Sequence, residues 1–334
     1  MKRHIEYLIA VIVVLASSVI SATAEPILVI GHKNPDADSI ISAIALANLK
    51  TQQGIPAIPI AQGEPNHETQ FVLKACKLDA PSIQTSVAGQ RVILVDHSDY
   101  LQAPADITKA TVAGLVDHHK LGGLTTDEPI EVWVFPTGCT NTIIARMYTS
   151  AGILIPKEIA CGMLGAIISD TLLFRSPTTT QEDRDAAAKL AQTTGIEDIQ
   201  AFGLKQLQAK SSIEGMSAIN LLKQDLKTFD MHGRKVGVAQ LELIDLSIVA
   251  ARKDEFLSAM KILKDEGYHS ILLMLTDIGK QGTDLLVVSD NVRIIESAFG
   301  LKEIGHSVWL PGVVSRKKQV VPGLLRAFEG DRAQ

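Results

Sequence analysis

Short apolar segments alternate with helical patterns through the first half of the chain. The apolar segments are residues 27–30, 57–60, 92–95, 112–116 and 132–135. Between the first three of them, residues 39–50 and 68–77 have the spacing of apolar side chains that is typical of helices. Buried strands that alternate with helices indicate βαβ units and a parallel sheet. We therefore predict an α/β fold whose first domain has a parallel sheet flanked by helices.

The second half of the chain indicates a change of domain. Helical patterns dominate from 139 to 210, and the mostly small or polar residues 211–216 are typical of a linker. Beyond the linker, strand patterns at 235–243, 270–275 and 285–289 alternate with helical patterns at 246–266 and 291–299. The predicted organisation is an N-terminal segment 1–24, a first domain 25–210, the linker 211–216 and a smaller α/β domain 217–334.

The first 24 residues have the layout of a secretory signal peptide. Lys2 and Arg3 precede an apolar stretch from 8 to 20, which is short for a membrane span, and Ala22-Thr23-Ala24 matches a cleavage site. We therefore predict cleavage after Ala24 and export to the periplasm, with no stable membrane insertion of the mature chain. Two alternatives stay open here: a membrane-anchored protein with an uncleaved segment, and a cytoplasmic protein.

Composition excludes some classes of function. The formal net charge is −5 and aromatic residues make up 4% of the chain, so we expect no nucleic-acid partner. The three cysteines, Cys76, Cys139 and Cys161, lack the C-x-x-C spacing of a zinc knuckle. Because their number is odd and their surroundings are apolar, we predict buried free thiols and no disulfide that stabilises the fold.

Aspartate and histidine residues follow three of the predicted strands. They are His32, Asp36 and Asp38 after 27–30, Asp96 after 92–95, and His118 and His119 after 112–116. A further aspartate, Asp170, follows an apolar helical pattern. In an open α/β sheet, ligands bind outside the carboxyl ends of the strands. A single aspartate there is commonly a turn residue or a helix N-cap, but agreement among three strand ends favours a shared site.

The aspartates of this predicted site would repel one another. Gathered in one crevice, the four carboxylates would have raised pKa values unless cations neutralise them. Two divalent cations would do so, and a pair that shares a carboxylate can hold a bridging hydroxide for in-line attack on phosphorus. In the second domain, Arg316, Lys317 and Lys318 offer contacts for an anionic phosphate. The alternative for this basic cluster is a solvated turn.

Five motifs together resemble those of family II inorganic pyrophosphatases of the DHH superfamily. They are GHKNPDADSI at 31–40, DHS at 96–98, VDHHK at 116–120, ISDTLLFRSPT at 168–178 and SRKKQ at 315–319. The resemblance runs from residue 27 to the C-terminus. It implies an N-terminal DHH domain, a smaller DHHA2 domain and an active site in the cleft between them. It also implies hydrolysis of inorganic pyrophosphate to two phosphates, and a homodimer.

The resemblance implies a role for each site residue. The implied ligands are His32, Asp36 and Asp96 for one manganese ion, and Asp38, Asp96, His118 and Asp170 for the other. The implied catalytic residues are Asp96, which bridges the two ions, and His119, which contacts the substrate near its leaving group. The implied substrate-binding residues are His119, Lys227, Arg316 and Lys317. Cobalt is the implied substitute for manganese, and magnesium would enter with the substrate.

Two rival functions stay open. One is another DHH phosphoesterase, such as an exopolyphosphatase or an oligonucleotide phosphodiesterase. The other is a non-catalytic envelope protein that binds manganese or polyphosphate. DHH enzymes with a DHHA1 second domain resemble this chain less, because they carry a late glycine-rich motif where this chain has residues 315–319.

Overall fold

The computed structural model describes residues 25–213 and 215–331. Within residues 25–213, six strands form a sheet whose neighbouring strands are all parallel. They are β1 (Ile27–Ile30), β2 (Ala57–Ala61), β3 (Ser82–Ile83), β4 (Arg91–Val95), β5 (Thr111–Asp117) and β6 (Glu131–Val134). Their order is β3-β2-β1-β4-β5-β6, so the chain moves outward in opposite directions from β1 and from β4. The sheet therefore has a switch point between β1 and β4, where a crevice opens at the carboxyl ends of the strands.

Helices cover this sheet and complete its core. They are α1 (Ala37–Gln52), α2 (His67–Cys76), α3 (Thr140–Ala151), α4 (Lys157–Asp170), α5 (Gln181–Thr194) and α6 (Ile199–Lys210). Successive side chains of a strand point to opposite faces, and both faces of β1 are buried. Val29 belongs to the same apolar cluster as Ile41 of α1 and Leu164 of α4, whereas Leu28 and Ile30 belong to a second cluster. The predicted α/β class and parallel sheet are confirmed.

Residues 215–331 form a smaller α/β unit with a five-stranded mixed sheet. Its strands are β7 (Leu226–Met231), β8 (Arg234–Leu243), β9 (Ser270–Asp277), β10 (Gly282–Ser289) and β11 (Ser307–Pro311). Their order is β11-β10-β9-β8-β7; β8 and β9 are parallel, and the other neighbours are antiparallel. The helices of this unit are α7 (Ala218–Gln224), α8 (Lys253–Lys264), α9 (Val292–Phe299) and α10 (Val321–Asp331).

Two parts of this second sheet differ from the sequence prediction. The prediction lacks the edge strands β7 and β11, because neither has a clear apolar pattern. Strand β7 forms by pairing with β8. The turn that joins β7 to β8 has positive φ at both His232 (56°) and Gly233 (80°), which is typical of a tight hairpin. The helix predicted over 246–266 is shorter, because two 3₁₀ turns precede α8.

A disulfide joins α2 to α4, so the prediction of three free thiols was wrong. Cys76, the last residue of α2, and Cys161 of α4 have a sulfur–sulfur distance of 2.01 Å and a Cα–Cα distance of 5.3 Å. Cys139 is a free, buried thiol. The odd count could not reveal the pair, because tertiary packing of α2 on α4 brings together residues separated by 85 positions.

We expect reduction of this disulfide to lower the free energy of unfolding by about 4 kcal/mol, because it releases a long closed loop in the unfolded chain. Urea denaturation with and without dithiothreitol measures the effect. The Cys76→Ser variant should unfold at the same urea concentration in both conditions. Equal midpoints for the unmodified chain with and without dithiothreitol would contradict this expectation.

Candidate metal centre

The predicted site residues lie at the switch point of the first sheet. His32 and Asp36 follow β1, and Asp96 follows β4. Asp96 has a φ of 60°, a left-handed conformation that costs a residue with a side chain of order 1 kcal/mol and is found most often at functional sites. Asp36 is also the N-cap of α1, since its Oδ1 accepts a hydrogen bond of 3.0 Å from the amide of Ser39. Asp36 can therefore cap α1 through Oδ1 while its other oxygen, Oδ2, faces the site.

Potential ligand atoms form three sets that all contain Asp96, and two of these sets hold the predicted metal ligands. In the first set, His32 Nε2 lies 3.4 Å from Asp36 Oδ2 and 3.3 Å from Asp96 Oδ2. The second set surrounds His118 Nε2, with Asp96 Oδ1 at 3.3 Å, Asp170 Oδ2 at 3.5 Å and Asp38 Oδ2 at 3.8 Å. Within each set the ligand atoms lie within 4.8 Å of one another. The two carboxylate oxygens of Asp96 thus face different sets.

Backbone carbonyl groups orient both imidazole rings. Nδ1 of His32 lies 2.7 Å from the carbonyl oxygen of Lys33, and Nδ1 of His118 lies 3.1 Å from that of Thr137. Because a carbonyl oxygen only accepts hydrogen bonds, Nδ1 carries a proton in each ring. Nε2 is therefore the atom of each ring that faces the carboxylates, the arrangement common for histidines that bind metal ions.

Three groups in the site have raised pKa values, and the excess of negative charge contributes to each of them. Burial raises the pKa of Asp38 to about 6, and the charge of Asp96 adds to the effect. Burial and the neighbouring carboxylates also raise the pKa of Asp170 well above its usual value. For His32, burial and Lys227 oppose protonation, but Asp36 and Asp96 outweigh them and raise its pKa to about 10.

These groups fit a pair of divalent cations. Two cations would replace the protons that the raised pKa values otherwise require. Carboxylate oxygens and imidazole nitrogens are suitable ligands for manganese and its neighbours among the transition metals.

Asp117, which the sequence motifs gave no role, orients the remaining histidine of the site. Its Oδ1 accepts hydrogen bonds from the amide of His119 at 3.0 Å and from His119 Nδ1 at 2.9 Å. Burial, His118 and Lys317 lower the pKa of His119 to about 3, so its ring is neutral. The signal was available in the sequence, because Asp117 directly precedes the two histidines in VDHHK.

Cations of the second domain reach the site to different extents. Lys227 Nζ of β7 lies 3.5 Å from His32 Nε2 and 4.0 Å from Asp36 Oδ2, and Lys317 Nζ donates to the carbonyl oxygen of His118. Arg316 instead donates to its own domain, to the Asp225 carbonyl oxygen at 2.7 Å and to Asp225 Oδ1 at 2.8 Å. These groups line a cavity of about 550 Å³ between the two domains, together with His32, Asp96, His119 and Asp170.

The chain is similar to known proteins over most of its length. Residues 26–167 match the DHH family, N-terminal domain, and residues 204–327 match the DHHA2 domain. The probable manganese-dependent inorganic pyrophosphatase of Archaeoglobus fulgidus is 47% identical over 90% of this chain and 97% of its own length. The manganese-dependent inorganic pyrophosphatase of Methanothrix thermoacetophila is 44% identical over 92% of this chain and 99% of its own.

This chain belongs to the manganese-dependent inorganic pyrophosphatase family. The family resemblance predicted from the motifs is therefore confirmed. A crystal structure described as a family II inorganic pyrophosphatase of Methanococcus jannaschii has the same fold, with a TM-score of 0.85 and 43% identity. That match covers 90% of this chain and 99% of the other, so both domains take part in it.

The prediction of export to the periplasm is contradicted by the pyrophosphatase relatives. Relatives matched over 97% to 99% of their own length have names that describe no exported or membrane-anchored form. The predicted signal peptide, residues 1–24, lies outside the described residues. Across residues 25–213 and 215–331, no helix is long and apolar enough to cross a membrane. The prediction failed because a basic start followed by apolar residues is only a compositional pattern. Such a pattern does not by itself show that an export machinery recognises the segment.

A partly buried ion triad, whose three residues also line the cavity, joins the two pyrophosphatase domains. Lys210, the last residue of α6, has its Nζ 3.1 Å from Glu68 Oε2 of α2 and forms an ion pair with Glu242 of β8. Gln206 also donates to Glu68 Oε1 at 2.9 Å. Burial opposes the charge of Lys210, but the two carboxylates outweigh it and raise its pKa well above the usual value. The triad therefore links the domains directly beside the segment that connects them.

We expect Lys210→Met to lower the free energy of unfolding by about 3 kcal/mol, because it leaves the buried carboxylate of Glu68 and the partly buried one of Glu242 without their shared cation. Urea denaturation measures the change. Lys205→Met is the matched control, since Lys205 is exposed on the same helix. Equal stability of the two variants would show that the triad does not stabilise the fold.

Proposed function

We propose that this chain hydrolyses inorganic pyrophosphate to two phosphates at a dinuclear manganese site between its domains. The observation that carries the proposal is the position of Asp96, whose two carboxylate oxygens face separate sets of potential ligands. A shared carboxylate is typical of sites that hold two divalent cations for phosphoryl transfer. In this proposal residues 25–210 form the metal-binding domain, 211–216 the linker and 217–334 the substrate-binding domain.

The proposed ligands follow the two sets. They are His32, Asp36 and Asp96 for one ion, and Asp38, Asp96, His118 and Asp170 for the other. Bound there, divalent cations would lower the pKa of a coordinated water and withdraw charge from the phosphoryl oxygens. The family relation supports manganese, and ligands of this type also accept cobalt. We further propose, on the family resemblance alone, that magnesium enters with the substrate and that the chain forms a homodimer.

The chain's own residues bind and orient the substrate in this mechanism. Lys227 and Lys317 reach the cavity from the second domain and would contact the phosphate oxygens, and Arg316 would join them on release from Asp225. Because Asp117 holds Nδ1 of His119, the other ring nitrogen is available near the leaving phosphate. Closure of the cleft by the second domain would exclude water and strengthen each of these contacts.

Replacement of Asp96 tests the shared ligand. We expect the unmodified chain to bind two manganese ions and Asp96→Asn to lose both, with phosphate release reduced by more than about 100-fold. Metal analysis after dialysis and a phosphate assay give the two measurements, with Asp79→Asn at an exposed position as control. An Asp96→Asn protein that retains two ions would refute the bridging role. Faster phosphate release from polyphosphate or dinucleotides than from pyrophosphate would favour the rival phosphoesterases.

Replacement of Lys317 separates substrate binding from metal binding. We expect Lys317→Ala to retain both manganese ions but to lower kcat/KM by roughly 10-fold to 100-fold, because one charged contact with phosphate is lost. Lys302→Ala, which removes an exposed charge from the same domain, is the control. If kcat/KM were the same in both variants, Lys317 would have no part in substrate binding.

A further inference from the structure

One short segment, which runs into the first turn of α3, contacts three of the proposed ligands of the second ion. The carbonyl oxygen of Thr137 faces Nδ1 of His118 at 3.1 Å. The amide of Thr140 donates to Asp38 Oδ2 at 2.7 Å, and its hydroxyl donates to Asp96 Oδ1 at 3.0 Å. We name residues 137–142 the junction segment. A change in its position would move all three ligands together.

The junction segment also determines which oxygen of Asp38 faces the site. Asp38 Oδ1 accepts from Asn141 Nδ2 at 2.7 Å, from the Asn141 amide at 3.2 Å, from Cys139 Sγ at 3.0 Å and from Ser42 Oγ at 3.1 Å. These donors leave Oδ2 as the oxygen directed at His118 Nε2. The carboxylate lies at the N-terminus of α3, where amide groups and the helix dipole favour a negative charge.

Asp183 of α5 holds the junction segment at two points. Its Oδ2 accepts from the amide of Gly138 at 2.8 Å, and its Oδ1 accepts from the hydroxyl of Thr142 at 2.6 Å. Asp183 is fully buried, so these bonds are not shared with solvent. Gly138 permits the close approach, because a Cβ there would lie 2.8 Å from Asp183 Oδ2 and 2.9 Å from Thr171 Cγ2.

A capping role for Asp183 does not account for these contacts. Asp183 and Thr180 form a capping box, in which Thr180 donates to Asp183 Oδ2 through its amide at 2.7 Å and its hydroxyl at 2.6 Å. That box requires nothing from Gly138 or Thr142, which belong to a different part of the chain. The buried carboxylate therefore has a second structural task, which is to fix the junction segment relative to α5.

We propose that Asp183 is a positioning residue that, through the junction segment, holds His118, Asp38 and Asp96 ready to bind the second cation. This inference rests on the proposed two-metal function. Its physical basis is that residues behind a metal ligand fix its orientation, and their loss commonly weakens metal affinity without removing a ligand. The sequence motifs predict the ligands but assign no role to Asp183 or Thr142.

Two threonine variants test the inference without disturbing the capping box. Thr142→Val removes one bond to Asp183, and Thr140→Val removes the hydroxyl bond to Asp96 while retaining the backbone donor to Asp38. Thr149→Val is the matched control: it lies on the same helix, is exposed, and its hydroxyl donates only to Ala145 of its own helix among the described residues. Asp183→Asn is a third variant, and the threonine pair decides the outcome if that variant fails to fold.

Manganese affinity and the state of His118 are the measurements. Calorimetric titration of the metal-free proteins should show roughly 10-fold to 100-fold weaker binding of one manganese ion to Thr142→Val and Thr140→Val. The control should match the unmodified chain. In the metal-free proteins, the Nδ1 proton of His118 should give an NMR resonance protected from exchange in the unmodified chain and the control, and less protected in Thr142→Val.

The outcomes separate this inference from the proposed function. If the unmodified chain binds two manganese ions and Thr142→Val matches it in affinity and in the His118 resonance, the positioning role is wrong while the two-metal function stands. If the unmodified chain binds no manganese, both proposals fail. Weaker binding in both threonine variants, with folding and the control intact, supports the positioning role.

Discussion

Repulsion among four buried or half-buried aspartates is the constraint on which this structure depends. Asp96 shares one set of potential ligands with Asp36 and another with Asp38 and Asp170, and within each set the ligand atoms lie within 4.8 Å of one another. A low-dielectric interior disfavours such a cluster unless hydrogen-bond donors and cations compensate it. The fold provides donors of its own, because the amide groups at the start of α3 bond Asp38 and the ring of His32 faces Asp36 and Asp96.

The second domain completes the electrostatic arrangement from the other side of the cleft. Acidic and imidazole groups lie at the carboxyl ends of the first sheet, and Lys227, Arg316 and Lys317 come from the second unit. Among the other residues that line the cavity, Lys210 joins Glu68 to Glu242. The cleft is thus lined by charged contacts between the domains, with acidic groups from the first domain and basic groups from the second.

Much of the fold could be predicted from the pattern of apolar residues, and the candidate site residues from short motifs. Local apolar pattern predicted strands such as β1 and β4, because buried parallel strands are nearly continuous apolar runs. Pattern failed for β7 and β11, whose edge positions are set by pairing with neighbours. It also failed for the disulfide between Cys76 and Cys161, and for export, because the composition of a segment does not show whether an export machinery recognises it. Asp183 could not be found because its partners Gly138 and Thr142 are distant in sequence.

The sequence by itself determined the α/β class, the family and the identity of the acids and histidines, because short motifs and strand periodicity are local properties. Only the tertiary structure decided how those residues are oriented: which oxygen of Asp38 faces the site, which set each oxygen of Asp96 joins, and that Arg316 is held by Asp225. The physical reason is that a hydrogen bond forms only when its donor and acceptor have the right relative position and orientation in space. That orientation is set by packing between elements that the linear order of residues does not place side by side.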